Sequence, residues 1–210
     1  MEPLLLLVIF ISFFCTFLAL PFWIRKAREI GLLWEDIHKG HSKKDVAGSG
    51  GVAVVFGFMI GIFLYIALQT FYFKSSDGII LSIFAMLSTV FLVAGIGLID
   101  DLFGWQKGGM SNRSRIILVF FAAIPLMVIN AGTEIVNLPF LGQVDFGIFY
   151  ALIIIPLGVV GATTTFNFLA GANGLEAGQG ILILGALSIV TFIIGSSCLS
   201  IIALSMAASL

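Results

Sequence analysis

The sequence predicts an all-α fold, a polytopic transmembrane helical bundle of six complete spans plus the start of a seventh. Three observations predict it. Of 210 residues, 60% are hydrophobic and only 10% are charged, whereas a soluble domain carries about 25% charged residues. Apolar runs long enough to cross the ~30 Å hydrocarbon of a bilayer recur along the whole chain. All ten Lys and Arg fall between those runs. The bilayer is therefore the solvent of this chain. A net charge of −1 argues against nucleic acid, which would demand a basic excess.

The runs fall at about 3–24, 50–72, 79–99, 116–131, 148–167 and 179–196. The first is followed at once by Arg25, Lys26 and Arg28, the basic flank of a membrane anchor. A seventh run begins near Cys198 and stops at Leu210. Its ~13 residues are too few to span as a helix, so the sequence reads as one domain, 1–210, truncated at its C-terminus. Between the fourth and fifth runs, Val136, Leu138, Phe140, Val144 and Phe146 surround Pro139 and Gly142. Short β-favouring stretches around a Pro/Gly turn predict a small β-hairpin on the outer face. Cys15 and Cys198 sit in apolar runs without metal-ligand spacing and read as buried thiols.

Charge distribution sets the expected orientation. Six cations lie between Arg25 and Lys44, three between Lys107 and Arg115, and Lys74 stands alone. With six alternating spans, the 25–49 and 100–115 loops share one face, nine cations against one. By the positive-inside rule that face is cytoplasmic and the N-terminus lies outside. The 168–178 connection then also falls on the cytoplasmic side.

The polar residues that need explaining concentrate in those three loops. Asp100 and Asp101 follow the apolar run Val90–Ile99. Adjacent carboxylates repel, and charge near hydrocarbon is costly. A plain reading is an interfacial cap. The functional one is a site for a divalent cation, since Mg²⁺ takes one or two carboxylates plus phosphate oxygens. In the stretch Thr163–Gly180, Asn167 and Asn173 stand among glycines at 171, 174, 178 and 180. Such a segment makes a poor helix end but a good ligand loop, because glycine admits close backbone approach and amides offer paired donors and acceptors. A simple helix–turn–helix connection is the bland alternative. A third cluster runs from Leu33 to Gly51 and includes Asp36 and Lys39, which share a helix face at three-residue spacing. His38 and His41 lack companion ligands and read as surface residues. Gly108-Gly109-Met110-Ser111 then leads to Arg113 and Arg115 at the start of the fourth run. Arginine suits a lipid phosphate at the interface; retention by the positive-inside effect explains Arg113 better.

Together, Glu35-Asp36-Ile37-His38-Lys39 leading to Gly50-Gly51, Gly97-Leu98-Ile99-Asp100-Asp101, and the run Asn167 to Gln179 resemble the polyprenyl-phosphate N-acetylhexosamine-1-phosphate transferases. The likeness is to the eukaryotic and archaeal UDP-GlcNAc:dolichyl-phosphate branch, since bacterial relatives usually carry Asp-Gly where this chain has Asn173-Gly174. The resemblance covers the N-terminal two-thirds of such an enzyme. It implies transfer of GlcNAc-1-phosphate from UDP-GlcNAc to a polyprenyl (dolichyl-type) phosphate, releasing UMP, with Mg²⁺ as cofactor and Mn²⁺ as a substitute. Asp100 and Asp101 match the catalytic acidic pair. Glu35, Asp36, Ile37, Gly171 and Asn173 match the UDP-sugar site. Arg115, Thr165, Phe166, Asn167 and Phe168 match the polyprenyl-phosphate groove, and Asn167 with Asp101 the metal site. Asp100 would orient or deprotonate the acceptor and Asp101 hold the metal shell.

The implied partners are UDP-GlcNAc, the lipid phosphate and the membrane, with a homodimer admitted. Arg115 stands where the family generally has lysine, and Ala47 where some relatives have a sugar-contacting carboxylate. The family's Phe-x-Gly-Asp motif and following basic loop have no counterpart here, so the 210 residues alone are expected to lack half of the metal site. The rival readings are an undecaprenyl-phosphate or phospho-MurNAc-pentapeptide transferase, and, from another class, an ion-coupled membrane transporter, which would place its acids near mid-span.

Overall fold

The computed structural model describes residues 3–34, 46–74, 78–140, 142–168 and 174–210. They fall into two compact units, Met1–Ser76 with Leu169–Leu210, and Asp77–Phe168. Five helical stretches are long and apolar enough to cross a membrane: Leu4–Ile30, Gly51–Tyr72, Ile79–Gly104, Tyr150–Phe168 and Leu175–Ile193. The polytopic helical class follows from them directly.

The first unit is built on α1 (Pro3–Ile30), α2 (Gly51–Ala67, prolonged by a π-helical turn Leu68–Tyr72) and, from the C-terminal segment, α7 (Leu175–Ile193) and α8 (Ser197–Ser209). Helix α1 runs six residues past its expected end. Arg25, Lys26 and Arg28 tolerate helix, and their cations suit the negative end of the helix dipole. It stops where Gly31 adopts φ +75°. There Leu32 N–H donates to Ala27 O at 2.8 Å and Gly31 N–H to Arg28 O at 3.3 Å, a Schellman end that buries Leu32 completely. The same device recurs at Gly195 (φ +91°), where Ser196 N–H donates to Thr191 O at 2.9 Å and the chain turns from α7 into α8.

Helices α1 and α2 touch along small residues. A side chain at Gly57 would collide with Thr16, whose backbone N would lie 2.8 Å away, and one at Gly61 would collide with the Ser12 hydroxyl. Lipid tails are as apolar as leucine, so close van der Waals packing of such surfaces is what holds membrane helices together. Helix α8 packs on α1, α2 and α7. Its Ser200 hydroxyl lies 2.9 Å from that of Ser188 on α7, buried, and Cys198 meets the Tyr65 hydroxyl of α2. Both cysteines are free thiols of intermediate exposure, less buried than their apolar surroundings suggested. Strands β1 (Leu33–Trp34) and β2 (Val46–Ala47) pair antiparallel; two-residue strands leave no alternation to read in a sequence.

The second unit holds α3 (Ile79–Lys107), α4 (Asn112–Ala122), α5 (Ile124–Val128), the hairpin β3 (Ile135–Leu138) and β4 (Gly142–Asp145), and α6 (Ile155–Phe168), which continues a π-helical turn Tyr150–Ile154. The expected hairpin is present, with Val136 opposite Val144 and Leu138 opposite Gly142. The expected span at 116–131 is not one helix. It breaks at Ala123 into segments of 11 and 5 residues, because Pro125 lacks an N–H to continue the ladder and instead occupies the first turn of α5, where proline is tolerated. The six complete spans of the sequence reading are thus five long helices and one broken segment among the described residues.

Candidate active site

Asp100 and Asp101 lie inside α3, which continues to Lys107, so the expected 100–115 loop shrinks to residues 108–111. From Leu102 to Lys107 only Gly104 disfavours helix, by about 1 kcal/mol, and the helix runs through it; the glycine pair ends it. Gly108 and Gly109 have φ of +89° and +82°, the left-handed region that other residues enter only at a cost. The chain reverses there and Ser111 caps α4, its hydroxyl accepting from Ser114 N–H at 3.2 Å.

This reversal folds the chain back onto Asp100. One carboxylate oxygen, Oδ1, accepts the Met110 N–H at 2.8 Å. The other, Oδ2, pairs with Nη2 of Arg115 at 2.5 Å, with the side chains only 13% and 18% exposed. Two charge-assisted bonds on separate oxygens fix the carboxylate plane. The Nε of Arg115 is buried without a hydrogen-bond partner among the described residues. Asp101 is half-buried and, one helical residue on, points about 100° away from Asp100. The two carboxylates therefore serve different directions.

Helix α6 brings the remaining described candidates. α4 packs on α6 while α5 packs on the π-helical turn that precedes it, so the two run antiparallel. The C-terminal end of α6 thereby lies at the same end of this unit as the start of α4. There Thr165, Asn167 and Phe168 are exposed and Phe166 is half-buried. No hydrogen bond or ion pair among the described residues joins them to Asp100 or Arg115. Glu35, Asp36, Ile37, Gly171 and Asn173, with His38 and His41, lie outside the described residues. Sequence reasoning gave Met110 no role, since its contribution is a main-chain N–H; the only signal was the glycine pair before it.

Asp101 and Asn167 carry side-chain oxygens of the kind a hard divalent cation takes. Both oxygens of Asp100 are engaged, by Met110 N–H and by Arg115. Among the described residues no three His, Cys, Asp or Glu gather as a metal cage. A cation that keeps water and takes phosphate oxygens from its substrate, as Mg²⁺ does, matches such a set.

The architecture defines an integral membrane protein of the polytopic helical class, with its acidic pair set near a helix end and not at mid-span. The chain belongs to glycosyl transferase family 4, whose model matches residues 83–210. It is 35% identical over 184 residues to a Saccharolobus solfataricus protein provisionally named a UDP-N-acetylglucosamine–dolichyl-phosphate N-acetylglucosaminephosphotransferase, covering 88% of this chain and 53% of that one. A Dictyostelium discoideum protein of the same name, without that qualification, is 31% identical over 153 residues, 68% of this chain and 36% of its own. A phospho-N-acetylmuramoyl-pentapeptide-transferase of Borreliella burgdorferi is 29% identical over 185 residues, covering 81% and 49%. The chain spans about half the length of the curated relatives it matches first.

Proposed function

We propose that the protein transfers GlcNAc-1-phosphate from UDP-GlcNAc to a dolichyl-type polyprenyl phosphate, at the cytoplasmic face of a membrane. The observation that carries this reading is the Asp100 carboxylate clamped between Arg115 and the Met110 N–H, at the end of a membrane-length helix in a chain of this family. The substrates are those that the names of the Saccharolobus and Dictyostelium relatives state. The orientation rests on the nine-to-one division of cations.

In this reading an oxygen of the lipid phosphate attacks the β-phosphorus of UDP-GlcNAc. A new pyrophosphate bond forms as the bond to the bridging oxygen breaks, and UMP departs with that oxygen. The acceptor is a phosphate monoester with a second pKa near ~6, already largely dianionic at neutral pH, so a strong general base is not obligatory. Arg115 holds the acceptor phosphate with the donors that Asp100 leaves unused, and Asp100 orients Arg115. Asp101 and Asn167 would hold the divalent cation, whose chemistry there is neutralisation of charge developing on the departing UMP. Glu35, Asp36, Ile37, Gly171 and Asn173 take the UDP-sugar, and Thr165, Phe166 and Phe168 line the lipid groove.

The test is UMP release by the full-length native gene product in detergent, with UDP-GlcNAc and dolichyl phosphate. Release should require the lipid, cease on chelation and return with Mg²⁺. In the same assay Asp100→Asn should lower kcat far more than it raises KM for UDP-GlcNAc. Faster turnover of UDP-MurNAc-pentapeptide than of UDP-GlcNAc would overturn the substrate assignment, and equal loss in kcat and affinity would overturn the role of Asp100.

A further inference from the structure

The connection between α3 and α4 does more than reverse the chain. Four residues, 108–111, join α3, which carries the acidic pair about two turns before its end, to α4, which carries Arg115 in its first turn. Two of them, Gly108 and Gly109, stand in the left-handed region at φ +89° and +82°, a conformation that points the next N–H back along the helix just finished. That N–H belongs to Met110 and reaches Asp100 Oδ1 at 2.8 Å, ten residues back in sequence. A side chain built on Gly109 would sit 3.6 Å from the same oxygen and 3.8 Å from Gly104 Cα. Space alone would thus admit an alanine methyl; the obstacle is the backbone angle.

The alternative is that the glycines merely end α3. One left-handed residue is enough to end a helix, as Gly31 does for α1 and Gly195 for α7. At both of those sites the terminal N–H groups return to main-chain carbonyls, Leu32 to Ala27 and Ser196 to Thr191. After α3 the N–H of Met110 goes to a carboxylate instead. The second consecutive glycine and the changed acceptor distinguish this turn from an ordinary helix end.

We propose that the Gly108–Gly109 turn is a positioning element for Asp100. It presents the Met110 amide as a fixed donor to one carboxylate oxygen, so that the other is held toward Arg115. Fixing one carboxylate oxygen from the main chain removes the rotation by which Asp100 could swap partners. Arg115 is then kept in one pose, its Nε unpartnered and buried. Gly109 and Met110 act through Asp100 and touch no substrate. The proposal rests on the transferase reading for its kinetic consequence, but its structural content can be measured without turnover.

The first arm is amide hydrogen exchange of the full-length protein in detergent, read by mass spectrometry on peptides covering Met110. Asp100→Asn keeps the shape but loses the charge of the acceptor, and exchange at Met110 should rise about ten-fold or more. Amides in the middle of α4 should be unmoved. Unchanged exchange at Met110 would overturn the proposal whether or not the protein turns over UDP-GlcNAc. The second arm is kinetic. Gly109→Ala should lower kcat about ten-fold, as an L-residue is forced to positive φ, with KM for UDP-GlcNAc within two-fold (roughly) of the native value. Gly109→Asn, which tolerates that region better, should recover part of the loss. Equal kcat for native, Ala and Asn variants would leave the turn a mere helix end. If the native protein releases no UMP while Asp100→Asn still speeds exchange at Met110, the transferase reading fails and the positioning element stands.

Discussion

Replacing Arg115 by methionine tests the Asp100–Arg115 pair most directly. The side chains are 13% and 18% exposed and their nearest atoms 2.5 Å apart. With charge centres about 4 Å apart and an effective dielectric near 20, the bare attraction is roughly 4 kcal/mol. Desolvation of both groups offsets part of it, leaving about 1.5–3 kcal/mol, the range for hydrogen bonds to charged groups. Arg115→Met removes that and leaves Asp100 buried with the Met110 N–H as its remaining main support. A loss of about 2–3 kcal/mol is expected, below the cost of stranding a fully buried charge. The assay is reversible denaturation in mixed micelles, run as a double-mutant cycle with Asp100→Ala. The double variant should be less destabilised than the sum of the singles, with a coupling of about 1.5–3 kcal/mol. Because the pair is shielded from solvent, most of that coupling should survive in high salt. A coupling under about 0.5 kcal/mol, the ordinary error of additivity, would refute the reasoning.

Two further outcomes follow from local packing and backbone geometry. Gly61→Ala forces a methyl into the Ser12 hydroxyl and should cost about 1–3 kcal/mol by overpacking, whereas Gly95→Ala, with open space around it, should be neutral or stabilising by up to about 1 kcal/mol; melting temperatures in one detergent compare the two. Phe140, at the hairpin tip, is fully exposed and holds φ +73°, so Phe140→Gly should stabilise by about 1 kcal/mol, and a lower melting point would show that the ring is covered by something.

Much of the fold was legible because hydropathy reports the solvent. Five membrane-length helices stand close to where apolar runs placed them, and the hairpin around Pro139 and Gly142 follows from turn chemistry. The helix ends were less legible. Arg25 to Arg28 and Asp100 to Lys107 look like loop by their charges, yet the helix continues through them until a left-handed glycine ends it. The reverse error occurred at 116–131, where hydropathy runs on unbroken but Pro125 interrupts the ladder. Within the site, residue types announced the acidic pair and Arg115. Their pairing was not announced, since Asp100 and Arg115 are fifteen residues apart and meet only because two glycines reverse the chain.

By itself the sequence determined the class of the protein, its apolar helices, its charge asymmetry and the residues able to do phosphate chemistry. These are properties of composition and order, and they survive any arrangement of the helices. The tertiary structure decided by what, and in which direction, the Asp100 carboxylate is clamped. That depends on a 100° rotation between neighbours on a helix and on a reversal of the chain at Gly108 and Gly109, which bring groups together in space that are separate in the sequence.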